Sequence, residues 1–328
     1  MKKSLLLLGA IAGIALTGCK VKSTIKVNPD KEKYVVGIAQ YAPHVALDAA
    51  TEGFKEKLTE LLTAEGRQVE FREKNASGTQ SLCTTIVNDL VSYDVDLIMA
   101  NATPCVAAAY QATSVIPVLG TSVTEYGVAL NIEFKDGKSG TNVSGTSDLA
   151  PLDQQVEIMT QLNPSARKFG IVYNASEPNS KFQADEVAKY LKQKNLESKE
   201  YVLSDASTIS SICGLAASEM DVIYIPTDNF CANNVNAINA EFAGRIPVFA
   251  GEEGICKGCG FATLSIDYKE LGKITGEMAF NVLLGKQDIR EYAVKYDEHA
   301  KKKYVKSRCE EFGITIPTDS GYEELVIE

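Results

Sequence analysis

Side chains able to hold a small polar ligand stand in this chain directly after short apolar runs rich in Val and Ile. VVGI at 35–38 leads into Gln40, Tyr41 and His44, and DLIMA at 96–100 leads into Asn101 and Thr103, with Pro104 suited to a first helical turn. A run at 117–119 is followed by Ser122, Thr124 and Glu125. Farther along, KFGIVY (168–173) precedes Glu177, Asn179 and Ser180, DVIYI (221–225) precedes Asp228 and Asn229, and the run at 246–249 precedes Glu252. The first group offers hydroxyls and backbone N–H groups at helix starts, which suit a carboxylate. The second offers amides and carboxylates, with Asp228, Glu177 or Glu252 placed to take an ammonium. A zwitterion fits that division. The same residue types also serve as N-caps worth about 1 kcal/mol each, and Thr103, Asn179 and Asp228 carry that reading equally. Glu177 and Glu252 are compatible with solvated surface charges, Tyr41 with the core, and His44 with a satisfied structural histidine.

Other chemistries are poorly supplied. The 328 residues are 45% hydrophobic and 23% charged, which is globular composition with material for two domains. A formal net charge of −10 opposes phosphate neutralisation, so nucleic acid is excluded as a partner. Two histidines, His44 and His299, leave little for a metal site or a histidine-dependent hydrolase. No GxSxG, HExxH or phosphate-binding loop occurs, and no cofactor or metal is expected. Cys256 and Cys259 form a CxxC, but no second CxxC completes a zinc site, and the pair reads as a structural loop or a local disulfide. Cys83, Cys105, Cys213 and Cys231 fall in helical patterns, where a small buried apolar residue is the simple reading.

At the N-terminus, Lys2 and Lys3 precede an apolar run from Leu5 to Leu16, too short to span a bilayer that needs about 20 residues. It reads as a signal peptide over 1–18. The run ends Leu16-Thr17-Gly18-Cys19, which resembles the bacterial lipobox, making Cys19 the lipidated first residue of the mature chain. More than one acyl chain would then hold the protein stably on a membrane, on its extracytoplasmic face. Residues 19–33, polar and lysine-rich, read as a flexible tether. Without Cys19 seven cysteines remain, an odd number.

Positioning the polar groups requires a frame. From Tyr34 onward, strand patterns alternate with amphipathic helices at 47–63, 79–92 and 104–113, and again at 155–162, 181–194, 208–218 and 230–243. That is an α/β fold of two doubly wound, Rossmann-like parallel sheets joined by a hinge around Asn142 to Asp148. We place lobe 1 at 34–143, completed by about 268–328, and lobe 2 at 144–267. Strand 262–266 and helix 268–285, lying at that border, read as crossing back to the first lobe. Ligand contacts belong at the carboxyl ends of the strands.

The segments GIAQYAPHVALDAATEGFKEKL (37–58), ANATP (100–104), GTSVT (120–124), NVSGTSD (142–148), YNASEPNS (173–180), IYIPTDN (223–229) and ATLSIDYKELGKITGEMA (262–279) stand in an order that resembles one family. It is the ABC-transporter substrate-binding proteins of the type I periplasmic-binding-protein fold, of the tryptophan/tyrosine-type lipoprotein group. Pro43-His44, Glu125-Tyr126 and the CxxC depart from its usual pattern. The resemblance implies capture of a small amino acid, often aromatic, between closing lobes, and delivery to a membrane permease driven by a separate ATPase. Thr103, Ser122 and Thr124, with Gln40 and Tyr41, would then hold the ligand carboxylate, while Asn179, Ser180, Asp228 and Glu252 close over it. A sugar or nucleoside binder, a ligand-sensing receptor partner and an exported thiol oxidoreductase are the alternatives.

Overall fold

The computed structural model describes residues 24–297 and 299–327, so the signal peptide and Cys19 lie outside the described residues. The chain builds a first series of β1 (Lys33–Gln40), α1 (Val45–Ala64), β2 (Gln68–Asn75), α2 (Gln80–Ser92), β3 (Leu97–Asn101), α3 (Thr103–Ala112), β4 (Val118–Val123), α4 (Tyr126–Leu130) and β5 (Val143–Ser147). A second follows: α5 (Leu152–Leu162), β6 (Lys168–Asn174), α6 (Pro178–Gln193), β7 (Glu197–Leu203), α7 (Ile209–Glu219), β8 (Val222–Ile225), α8 (Asn229–Asn233), α9 (Val235–Phe242), β9 (Val248–Ala250), α10 (Glu253–Cys259) and β10 (Ala262–Ser265). The C-terminal part holds α11 (Tyr268–Leu283), β11 (Lys295–Tyr296), β12 (Lys301–Tyr304), α12 (Lys306–Glu311) and β13 (Tyr322–Glu324).

Helices cover both faces of each sheet, which is why β3, β8 and β10 are buried throughout instead of alternating. In α1 the buried Leu47, Ala50, Phe54, Leu58 and Leu62 recur every three or four residues; Phe54, Leu58 and Leu62 join the sheet core, while Ala50 packs toward α11. The sheets run β2-β1-β3-β4-β5-β11 and β7-β6-β8-β9-β10-β12-β13. Each order reverses next to its first strand, β1 or β6, the switch point at which open α/β sheets present a crevice. Every pairing is parallel except β10 with β12.

Several borders differ from the sequence reading. Val143–Ser147 pairs with β4, so the first lobe extends through Ser147 instead of ending at 143. The strand at 262–265 does not cross back; it continues the second sheet beside β9. Helix α11 does return, and its backbone approaches α1 so closely that a Cβ on Gly272 would lie 2.0 Å from the Ala50 carbonyl oxygen. The tail then leaves again, so only about 268–296 completes lobe 1. Beyond it β12 pairs antiparallel with β10, and the Arg308 guanidinium donates to the carbonyls of Cys256, Lys257, Gly258 and Gly260 at the end of α10. The chain therefore passes between lobes three times, after Ser147, Ser265 and Tyr296. The described part of the expected tether, 24–33, is docked on lobe 1: Ile25 and Val27 pack against its core, Lys26 N donates to Val115 O at 2.7 Å, and Lys31 pairs with Asp96 at 2.5 Å. Cys256 and Cys259 sit on α10, not in a loop, and all seven described cysteines are buried thiols without a disulfide.

Candidate ligand-binding cleft

The carboxyl ends of both sheets face each other. One wall of the cleft between them carries His44 and Leu47 from the start of α1 and Ser122 and Thr124 from the end of β4. The opposite wall carries Asn179 from the first turn of α6, Thr227, Asp228 and Asn229 after β8, Ala232, and Glu252 after β9. Asp148, just past β5, and Tyr268, opening α11, close the hinge side. The lobes are shut, with His44 Nε2 3.3 Å from Asn229 Oδ1 across the gap. About 10 Å³ of free volume remains, room for roughly one water. A larger solute enters only when the lobes separate.

Local folding aims these groups. Gly120 pairs with Gly145 but Val123 with Ser147, so β4 carries one extra residue, a β-bulge. Within it Ser122 takes φ 53°, a left-handed conformation costly for a residue with a Cβ, and its buried Oγ has no hydrogen-bond partner. Asp148 Oδ2 accepts the Tyr268 hydroxyl at 3.0 Å, while Oδ1 accepts nothing. Asn179 Nδ2 donates to Thr227 O at 3.1 Å, while Oδ1 accepts nothing. Buried polar atoms are ordinarily paired. Among the described residues six side-chain atoms are not, and three of those line this one cleft.

Its charge is one-sided. Asp228 caps α8 by accepting Cys231 N at 2.7 Å and also accepts Asn174 N at 2.8 Å; Glu252 caps α10 by accepting Gly254 N at 2.6 Å and Ile255 N. Burial pushes the Glu252 carboxyl up to about 7, against those backbone donors. Burial likewise pushes Asp148 up to about 6, against the Thr124 and Tyr268 hydroxyls beside it. Glu177 is raised by burial and then by the nearby Asp228 charge, and Asp228 is raised by burial. His44 is lowered by burial, and among the described residues no Lys or Arg lines the cleft.

Of the residues singled out by sequence, Ser122, Thr124, Asn179, Asp228, Asn229 and Glu252 come together here. Glu177 stands behind them, accepting Asn229 N, Asn229 Nδ2 and Phe230 N at 3.0, 2.7 and 2.7 Å and so fixing the start of α8. Ser180 is likewise behind the wall, bonded to Thr227 O at 3.3 Å. Gln40 lies off the cleft, its amide donating to Ala42 O and Asp48 Oδ1 and accepting from Thr51, a network that anchors the start of α1. Tyr41 spends its hydroxyl on Gly78 O at 2.9 Å. Thr103 is the first helical residue of α3, whose cap is Ala102 at φ 82°, and it does not line the cleft. Asp148, Tyr268, Leu47, Thr227 and Ala232 were not foreseen, and His44 was read as structural.

Two doubly wound sheets, a triple-stranded hinge and a polar cleft shut between them define a protein that clasps a small solute. The chain belongs to the ABC transporter substrate binding protein family, whose model matches residues 35–319. It is 35% identical over 293 residues to the tyrosine-binding protein of Clostridioides difficile (strain R20291), covering 86% of this chain and 84% of that one. Among solved structures it is similar to an ABC domain in complex with L-Trp from Streptococcus pneumonia, at 29% identity and TM-score 0.84, over 90% of this chain and 100% of that one. The ligand-free, open structure of a substrate binding protein with adhesive properties from Clostridium difficile overlays at TM-score 0.69, with the same identity of 29% and the same coverages, 90% and 100%. The better fit to the liganded structure accords with the shut lobes.

Proposed function

We propose that the protein, the substrate-binding component of an ABC transporter, captures an aromatic L-amino acid such as tyrosine or tryptophan and holds its ammonium group against Asp148 and Asn179. The observation that carries this reading is the convergence of unpartnered buried atoms. Asp148 Oδ1 and Asn179 Oδ1 are acceptors without donors, and an ammonium brings three N–H groups into a cleft where no protein cation competes. Asp228 and Glu252 add carboxyls on the same side that ionise against the ammonium, and Ser122 Oγ, with Thr124, is left for the ligand carboxylate. The relatives' ligands, tyrosine and L-Trp, supply the aromatic side chain. The bound solute is released unaltered to a permease powered by a separate ATPase. We further read residues 1–18 as a cleaved signal peptide and Cys19 as a lipid anchor on the extracytoplasmic face; none of the described helices is long and apolar enough to cross a membrane.

Calorimetric titration with L-tyrosine, L-tryptophan and 3-(4-hydroxyphenyl)propionate tests the ammonium assignment. The amino acids bind, and the analogue without the amino group binds at least about 100-fold more weakly, because it leaves buried acceptors unpaired. Equal affinity for the analogue overturns the assignment.

A further inference from the structure

We propose that Cys83 and Cys105 are a disulfide-forming pair in the exported protein, a cross-link between the first turns of α2 and α3. Their Sγ atoms are 3.0 Å apart, about 1 Å longer than an S–S bond of ~2.05 Å, and the two residues share one core cluster. Both side chains are fully buried in the lobe 1 core. The sequence spacing favours Cys256 and Cys259 instead, but on α10 the Cys256 thiol is otherwise engaged. The Cys256 Sγ is turned toward Gly260 O at 3.8 Å, and the surrounding carbonyls are locked by Arg308. The inference rests on the extracytoplasmic reading above, because only an oxidising compartment sustains such bonds.

The step is a thiol–disulfide exchange with a disulfide-bearing oxidant, such as an envelope oxidoreductase or glutathione disulfide. One thiolate attacks the oxidant's disulfide to give a mixed disulfide, and the second thiolate displaces the oxidant's remaining sulfur. Cys83 and Cys105 thereby lose two protons and two electrons, and the oxidant leaves as two thiols. Burial pushes the Cys105 thiol well up and suppresses its thiolate once the lobe has closed, so the exchange belongs to folding. The bond ties α2 to α3, which flank β3 in sequence, and Tyr41 packs on the same cluster. Constraining that span of the unfolded chain stabilises lobe 1.

The test uses the full chain expressed in a bacterium with its N-terminal segment, its thiols trapped with alkylating reagent before lysis, then digested and weighed. A Cys83–Cys105 linked peptide, lighter by two hydrogens than the sum of its parts, is expected, with the other described cysteines alkylated. A parallel sample is reduced, unfolded and refolded in a glutathione redox buffer. The link in both samples supports the proposal. The link only after refolding upholds the pair and overturns the extracytoplasmic location. Alkylated Cys83 and Cys105 in both samples, or a Cys256–Cys259 link in their place, overturns the pair. In the linked protein, reductant lowers the melting temperature by several degrees, and the double variant Cys83→Ser/Cys105→Ser loses that response.

Discussion

Glu252 holds its proton up to about pH 7 and Asp148 up to about pH 6 because burial outweighs the hydrogen bonds that favour their charge. Their folded values, about 7 and about 6, exceed the roughly 4 of an unfolded carboxyl. At these two carboxyls the native state thus binds more protons than the unfolded state between those limits, so their contribution to the stability of the unliganded protein falls as pH rises from about 4 to 7. Melting temperatures of the protein relative to its Glu252→Gln variant across that range check the sign; a native chain that gains on the variant as pH rises would contradict it. A ligand ammonium favours the ionised carboxyls, so binding releases protons and tightens as pH rises from about 6 to 8. Calorimetry at pH 7 in two buffers of different ionisation heat measures that release, and Glu252→Gln reduces it while keeping an acceptor oxygen for α10. A heat independent of buffer would show that no proton leaves. Asp228 and Glu252 were legible in the sequence because a carboxylate just after an apolar run is conspicuous. Both prove to be N-caps that also line the cleft, so the two readings weighed for Asp228 were never exclusive, while Glu252 is buried and not the solvated surface charge it is compatible with in sequence.

Asp148 was hidden for a reason that lies in its strand. VSGTS at 143–147 has one apolar side chain and no alternation, yet it forms β5 because small residues let it lie tight against β4, with a Cβ on Gly145 destined to fall 2.1 Å from Gly120 O. With the strand unseen, the rule that assigns function to strand ends could not reach Asp148. The tail failed similarly: the stretch to 328 is read as completing lobe 1, but KKKY at 301–304, with no apolar alternation to mark it, forms β12 between β10 and β13 of the second sheet. Helices with clear stripes, α1 above all, were legible; the glycine contact of α1 with α11 was not, since it depends on how closely two backbones approach. Gly272→Ala places a methyl against the Ala50 carbonyl and should cost about 1–3 kcal/mol, read as a lower midpoint in urea. An unchanged midpoint would mean the helices are farther apart than described. Arg308→Ala strips α10 of its C-terminal donors and should cost about 2 kcal/mol. Affinity for L-tyrosine should be unaffected, as Arg308 is not in the cleft; a large loss of affinity would tie α10 to ligand capture through its end.

Across the whole molecule, three chain crossings restrict relative motion of the lobes to a hinge, and the shut cleft has no space for an amino acid. An open population must therefore exist, and ligand shifts the balance only by its preference for the closed form. X-ray scattering should show the radius of gyration fall on adding saturating L-tyrosine, and an unchanged radius would argue against hinge capture. The two-sheet architecture, the meeting of strand ends and the return of α11 to lobe 1 were readable from the alternation of patterns; the passage of the chain after Tyr296 back to the second sheet was not. The most direct measurement is a crystal structure of the complex with L-tyrosine. The amino nitrogen is predicted to lie about 3 Å from Asp148 Oδ1 and Asn179 Oδ1, with the carboxylate toward Ser122. A tyrosine bound in the reverse orientation, or outside the cleft, would contradict it.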